Sequence, residues 1–106
     1  MPIFKKLRKL RALQRRLLPD LETLQDFDIV GEIGYHEERG APVTLRQLFL
    51  RGIGSVATVQ RRLQRLKRLG LVLPERSPRD KRRLHLRISA GVRSAYAQKE
   101  LLLRSR

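Results

Sequence analysis

The chain has neither cysteine nor tryptophan among its 106 residues. Without cysteine there is no disulfide framework, no thiolate metal site and no cysteine nucleophile. Aromatic residues are also scarce, with three Phe and two Tyr, so the core must be aliphatic and little remains for stacking unpaired bases. No apolar run exceeds three residues, which leaves no membrane span and no signal-peptide core behind the basic start. A cytoplasmic protein is therefore expected. Acidic residues are few, ten against 25 Lys and Arg, giving a formal net charge of +15.

That charge is unevenly placed. Residues 1–19 carry seven basic side chains and no acidic one, whereas all ionisable charge in residues 20–38 is acidic, on Asp20, Glu22, Asp26, Asp28, Glu32, Glu37 and Glu38. From Arg39 onward, eighteen Lys and Arg stand against Glu75, Asp80 and Glu100. A single sign so concentrated sets up a field that attracts polyanions, nucleic acid or anionic lipid. A chain of this length makes one domain with a modest core, burying roughly 60–70% of its unfolded surface.

Periodicity divides residues 1–106 into a basic N-terminal helix (1–19), a central core (20–89) and a C-terminal helix (90–106). Phe4, Leu7, Leu10, Leu13 and Leu17 recur at helical spacing between lysines and arginines until Pro19 stops the pattern. Leu24, Phe27, Val30 and Ile33, with Ile29, predict a second helix over about 20–38, ended by Gly40. Ala41, Pro42 and Val43 suit a short edge strand. Thr44 and Gln47 form a capping box for a short third helix, which Gly52 and Gly54 close with a turn. Ser55 caps the next helix, residues 55–69, whose core stripe is Val56, Val59, Leu63 and Leu66 and whose stop is Gly70. Two helices joined by a tight glycine-containing turn are a helix-turn-helix unit. Leu71, Val72 and Leu73 read as a strand, Ser77 to Asp80 as a turn, and Leu84, Leu86 and Ile88 as a second strand with one buried face. The last helix starts near Ser89 with Val92, Tyr96 and Leu103 on one side. The expected fold is mainly α with a small β-hairpin wing, a winged helix-turn-helix flanked by terminal helices.

A helical residue advances about 100° around the axis, so burying the stripe turns Ala57, Thr58, Arg61, Gln64, Arg65 and Arg68 outward. The first part of that face is small and hydrogen-bonding, suited to base edges in a major groove. The later part is arginine, suited to phosphates or guanine. Gln60 and Arg62 flank the face, and Thr44 caps the preceding helix against the same partner. The wing, residues 77–83, supplies Arg79, Lys81, Arg82 and Arg83 for the backbone or minor groove. Asp80 would repel phosphate and is expected to cap the turn or orient a neighbouring arginine. These residues are the candidate contacts to double-stranded DNA.

Ser55, Thr58, Val59, Arg61, Leu63, Leu66 and Gly70-Leu71-Val72, followed by a strand, Asp80-x-Arg82 and the helix-opening Ile88-Ser89, resemble the MarR family of winged-helix transcription regulators. PadR-like regulators are close relatives. The resemblance spans residues 43–91. It implies groove contacts at Ser55, Ala57, Thr58, Gln60 and Arg61, a wing arginine at Arg82, and a homodimer held by helices from both chain ends. It also implies a repressor, although nothing in the sequence marks a pocket for an effector.

No catalytic residue, metal or cofactor is expected. His36 and His85 lie far apart and read as surface histidines, and no HExxH, P-loop or GxSxG motif occurs. The basic N-terminal helix can pack against a second subunit, lie on an anionic membrane or follow DNA. With Phe4 as its one aromatic, the subunit contact fits best. The alternative to a sequence-specific regulator is a protein-interaction module, or a non-specific architectural DNA or RNA binder, on the same fold.

Overall fold

The computed structural model describes residues 2–105. The described elements are α1 (Ile3–Leu17), α2 (Leu24–Glu38), α3 (Leu45–Phe49), α4 (Val56–Arg68), β1 (Val72–Arg76), β2 (Leu84–Ile88) and α5 (Ala90–Arg104). They form two units, one joining α1 and the segment up to Leu21 to α5, the other running Glu22–Ser89.

In the first unit, α1 and α5 run antiparallel. Lys6 donates from Nζ to the carbonyls of Leu103 and Ser105, both at 2.7 Å, while Lys99 Nζ reaches Gln14 Oε1 at 3.2 Å. Lys6 thus satisfies carbonyls that the end of α5 leaves without helical partners. The α1 stripe is only partly covered: Leu10, Leu13 and Leu17 are half-buried, but Phe4 remains 83% exposed and Leu7 is exposed too. On α5, Val92 is buried and Tyr96 half-buried, whereas Leu103 faces solvent.

The second unit is built on aliphatic side chains. Ile29, Val30 and Ile33 of α2, Val43, Leu48 of α3, Val59, Leu63 and Leu66 of α4, and Val72, Leu86 and Ile88 of the hairpin are all buried. Helix α2 starts at Leu24 rather than near residue 20, because Thr23 accepts from the Asp26 amide at 3.2 Å and Asp26 accepts from the Thr23 amide at 3.1 Å. This reciprocal capping box satisfies donors the first turn would leave orphaned. The buried face of α2 keeps Ile29, Val30 and Ile33 of the expected stripe and leaves out Leu24 and Phe27. It runs through Asp26, Ile29, Val30, Ile33 and His36, and Leu24 is exposed. Apolarity alone missed Asp26 and His36, because both polar side chains are satisfied internally.

Helix α4 ends in a Schellman motif. Gly70, at φ +73°, donates to Lys67 O, and Leu71 donates to Leu66 O, each at 3.0 Å. Strand β1 then extends to Arg76, beyond the expected three residues and through Pro74. It pairs antiparallel with β2 in a register that sets Pro74 opposite Leu86. The Leu86 amide points away from β1 and donates to Val43 O at 2.9 Å. Pro74 therefore occupies a pair that exchanges no ladder hydrogen bonds, where its missing N–H costs nothing. The expected edge strand reduces to this bond and a single bridge between Thr44 and His85. It still ties the start of α3 to the root of the wing.

Candidate nucleic-acid interface

The face of α4 opposite its buried stripe carries Ala57, Gln60, Arg61, Gln64 and Arg68, all exposed. At its N-terminus, Ser55 Oγ accepts from the Thr58 amide at 3.1 Å and donates to Thr58 Oγ1 at 3.0 Å. The two hydroxyls thus hold each other at the mouth of the helix, with Ser55 exposed and Thr58 half-buried. The approach to α4 is set by Gly52 at φ +72°, a conformation that a side chain would strain.

Three of the expected placements on α4 change. Val56, assigned to the core stripe, is 53% exposed: it is the first helical residue, and its Cβ points back off the end of the helix. Arg62, assigned to the flank of the outer face, turns inward. Its Nε and Nη2 donate to Asp26 Oδ1 at 2.8 Å and Oδ2 at 2.5 Å. Arg65, assigned to the outer face, is half-buried and ion-paired with Glu22, its Nη1 also lying 3.8 Å from Asp26. The acidic N-terminal end of α2 draws both guanidinium groups around the helix. Asp26 is fully buried, which pushes its carboxyl pKa up, but the Arg62 hydrogen bonds and the Glu22 and Thr23 amides prevail and hold it at about 2. Arg62 is raised in turn, chiefly by its hydrogen bond to Asp26. No surviving sequence signal marked this pair, since its members are 36 residues apart.

The wing is ordered by its own short side chains. Buried Ser77 accepts from the amides of Arg79 and Asp80 at 3.3 and 3.4 Å, and its N–H donates to Arg83 O at 3.0 Å. Asp80 Oδ1 accepts from the Arg82 amide at 3.0 Å, and Oδ2 lies 4.0 Å from Arg83 Nε. Asp80 both caps the turn and faces an arginine. Arg76 Nη1 donates to Lys81 O at 2.7 Å, closing the loop from below. Arg79, Lys81, Arg82 and Arg83 are all exposed, so the tip presents four cations, of which Arg83 alone pairs with a carboxylate among the described residues.

Thr44 is half-buried and spends its side chain on the α3 capping box, accepting from the Gln47 amide at 3.2 Å while Gln47 Oε1 accepts from the Thr44 amide at 2.9 Å. It also borders an open cleft of about 490 Å³ between α3 and the wing, together with Leu45, Arg46, Gln47, Arg82, Arg83 and Leu84. Arg46 was not among the residues singled out from the sequence; its position inside the capping box gave no reason to look beyond the helix. His36 also departs from expectation. It is only 7% exposed, its Nε2 lying 3.1 Å from Arg51 Nη2 and 3.4 Å from Glu32 Oε2. His85, half-buried, is held by the bridge to Thr44.

Helix, turn, exposed basic helix and cationic two-stranded wing define a winged helix-turn-helix protein. Comparison with solved structures places the architecture more narrowly. A MepR variant from S. aureus bound to an oligodeoxyribonucleotide superposes with a TM-score of 0.68 at 17% identity, over 94% of this chain and 69% of that one. A MarR variant from E. coli complexed with operator DNA gives 0.59 at 23% identity, over 96% and 71%. The transcriptional regulator BldR from Sulfolobus solfataricus gives 0.60 at 18%, over 92% and 65%. The fold is a MarR-like winged helix. No family model matches the sequence, and no curated protein does. Among the described residues, no helix is long and apolar enough to cross a membrane.

Proposed function

We propose that this protein is a sequence-specific double-stranded DNA-binding transcription regulator that represses by occluding its operator. The carrying observation is the exposed α4 face, where Ala57, Gln60, Arg61, Gln64 and Arg68 stand opposite the buried Val59, Leu63 and Leu66. A helix of this kind enters a major groove, with Ser55, Ala57, Thr58, Gln60 and Arg61 nearest the base edges and Gln64 and Arg68 further along the duplex. Arg79, Lys81, Arg82 and Arg83 hold the backbone or adjacent minor groove, and Thr44 supports the same side of the domain. Arg62 and Arg65 take a supporting part, because their charge is spent on α2. The DNA-bound MepR and MarR structures of the same fold support this reading.

The working unit is a homodimer. Exposed Phe4 and Leu7 on α1 and Leu101 and Leu103 on α5 give the terminal helices an apolar surface for a second copy. A two-fold dimer would read half-sites about one helical turn apart, roughly 34 Å. Binding selection from a random duplex library at near-physiological salt tests both points. Enrichment of an inverted repeat is expected. Tight, salt-sensitive binding without enrichment would reduce the α4 face to a non-specific cationic surface.

A further inference from the structure

The cleft between α3 and the wing is a candidate site that α4 does not explain. Three of its lining residues, Arg46, Arg82 and Arg83, are exposed arginines. Among the described residues, Asp80 is the carboxylate facing this group, 4.0 Å from Arg83, and its other oxygen is occupied by the Arg82 amide. Among the described residues, the guanidinium groups of Arg46 and Arg82 make no hydrogen bond or ion pair. Like charges gathered in this way repel one another and would normally splay apart. Here their backbones cannot separate freely, because the Leu86 amide binds Val43 O and Thr44 bridges His85, fastening the start of α3 to the root of the wing. The capping box consumes the Thr44 and Gln47 amides, and the guanidinium groups supply the charged donors of the cleft.

We infer that this cleft grips a phosphodiester of the DNA backbone, with Arg46 as a contact residue alongside Arg82 and Arg83. Guanidinium forks match phosphate oxygens in geometry as well as charge. The cleft is open to solvent, and the exposed cations Arg79 and Lys81 stand on the same wing, which suits a chain of phosphates more than an enclosed small anion. This inference rests on the DNA-binding reading. It adds a phosphate anchor on α3, where one guanidinium fixes the angle between wing and duplex.

The test compares the wild-type chain with Arg46→Ala and Arg46→Lys on a selected duplex, an unrelated duplex, and a set of duplexes carrying a single neutral methylphosphonate at each position in turn. Arg46 is exposed and outside the side-chain bonds of the capping box, so Arg46→Ala is expected to melt like wild type. It should weaken both unmodified duplexes by a similar factor, roughly tenfold, or about 1.4 kcal/mol. Its salt slope should be shallower by about 0.9, the share of one phosphate. One methylphosphonate position should cost wild type affinity and cost Arg46→Ala nothing, with Arg46→Lys between the two. Wild-type binding with an unchanged slope in Arg46→Ala would empty the cleft of DNA and leave the α4 reading standing. A flat methylphosphonate scan combined with Arg46 resonances shifted by inorganic phosphate alone would assign the cleft to a free anion and overturn the inference. Failure of wild type to bind any duplex would remove the DNA-binding reading itself.

Discussion

Arg62→Met is the perturbation that most directly probes how α4 is held. Asp26 is 0% exposed, and Oδ1 has Arg62 Nε at 2.8 Å as its recorded partner, whereas Oδ2 also accepts from the Glu22 amide at 2.9 Å and the Thr23 amide at 3.1 Å. Removing the guanidinium leaves a buried carboxylate half-satisfied, a change that costs about 3–5 kcal/mol. Domains of this size are stable by about 5–15 kcal/mol, so most of the margin is at stake. At neutral pH the urea midpoint should fall by roughly 2 M. Asp26→Asn keeps an acceptor for the α2 cap, and the double variant Asp26→Asn/Arg62→Met should cost less than the sum of the singles by more than about 1 kcal/mol.

The same pair carries a pH signature. The Asp26 carboxyl titrates at about 2 when folded against 3.8 when unfolded, a lowered value. Such a group adds stability above the unfolded value, about 2 kcal/mol here, and loses it as pH falls from 3.8 toward 2. In Arg62→Met, burial still pushes the carboxyl up while its strongest opposing partner is gone. The deficit relative to wild type should therefore be greatest at neutral pH and shrink across that acid window. Strict additivity of the two substitutions, or a deficit constant from pH 6 to pH 2, would refute the coupling.

Arg61→Ala, on the exposed α4 face, should lower affinity for a selected site by about 1–3 kcal/mol while sparing unrelated DNA, read as the ratio of the two binding constants. Leu63→Ala, in the fully packed stripe between α4 and α2, should cost about 2–5 kcal/mol in urea unfolding, with the same salt slope in whatever folded protein remains. Gly70→Ala meets no atom within 4 Å but must adopt φ +73°, so thermal unfolding should show a loss of about 1–2 kcal/mol from backbone strain alone.

The sequence by itself determined the order of elements, because the signals for it are local. Ser55 three residues before Thr58, Thr44 three before Gln47 and Gly70 after the last arginine of α4 each act within one turn of chain, and each does in the structure what its spacing predicts. The cationic wing and the role of Asp80 were legible for the same reason, since a turn of seven residues closes on itself. Tertiary structure decided which charges remain available. Arg62 and Arg65 belong to the same basic run as Arg61 and Arg68, and nothing in that run separates them; only the acidic start of α2, brought beside α4, turns two inward and leaves two outside. His36 and Asp26 were hidden in the same way, as polar residues on a buried face whose partners come from other elements. Arg46 became visible once the Val43 and Thr44 bonds to β2 set α3 against the wing. Local hydrogen-bond geometry is written in sequence spacing, whereas the pairing of distant charges depends on which helices meet.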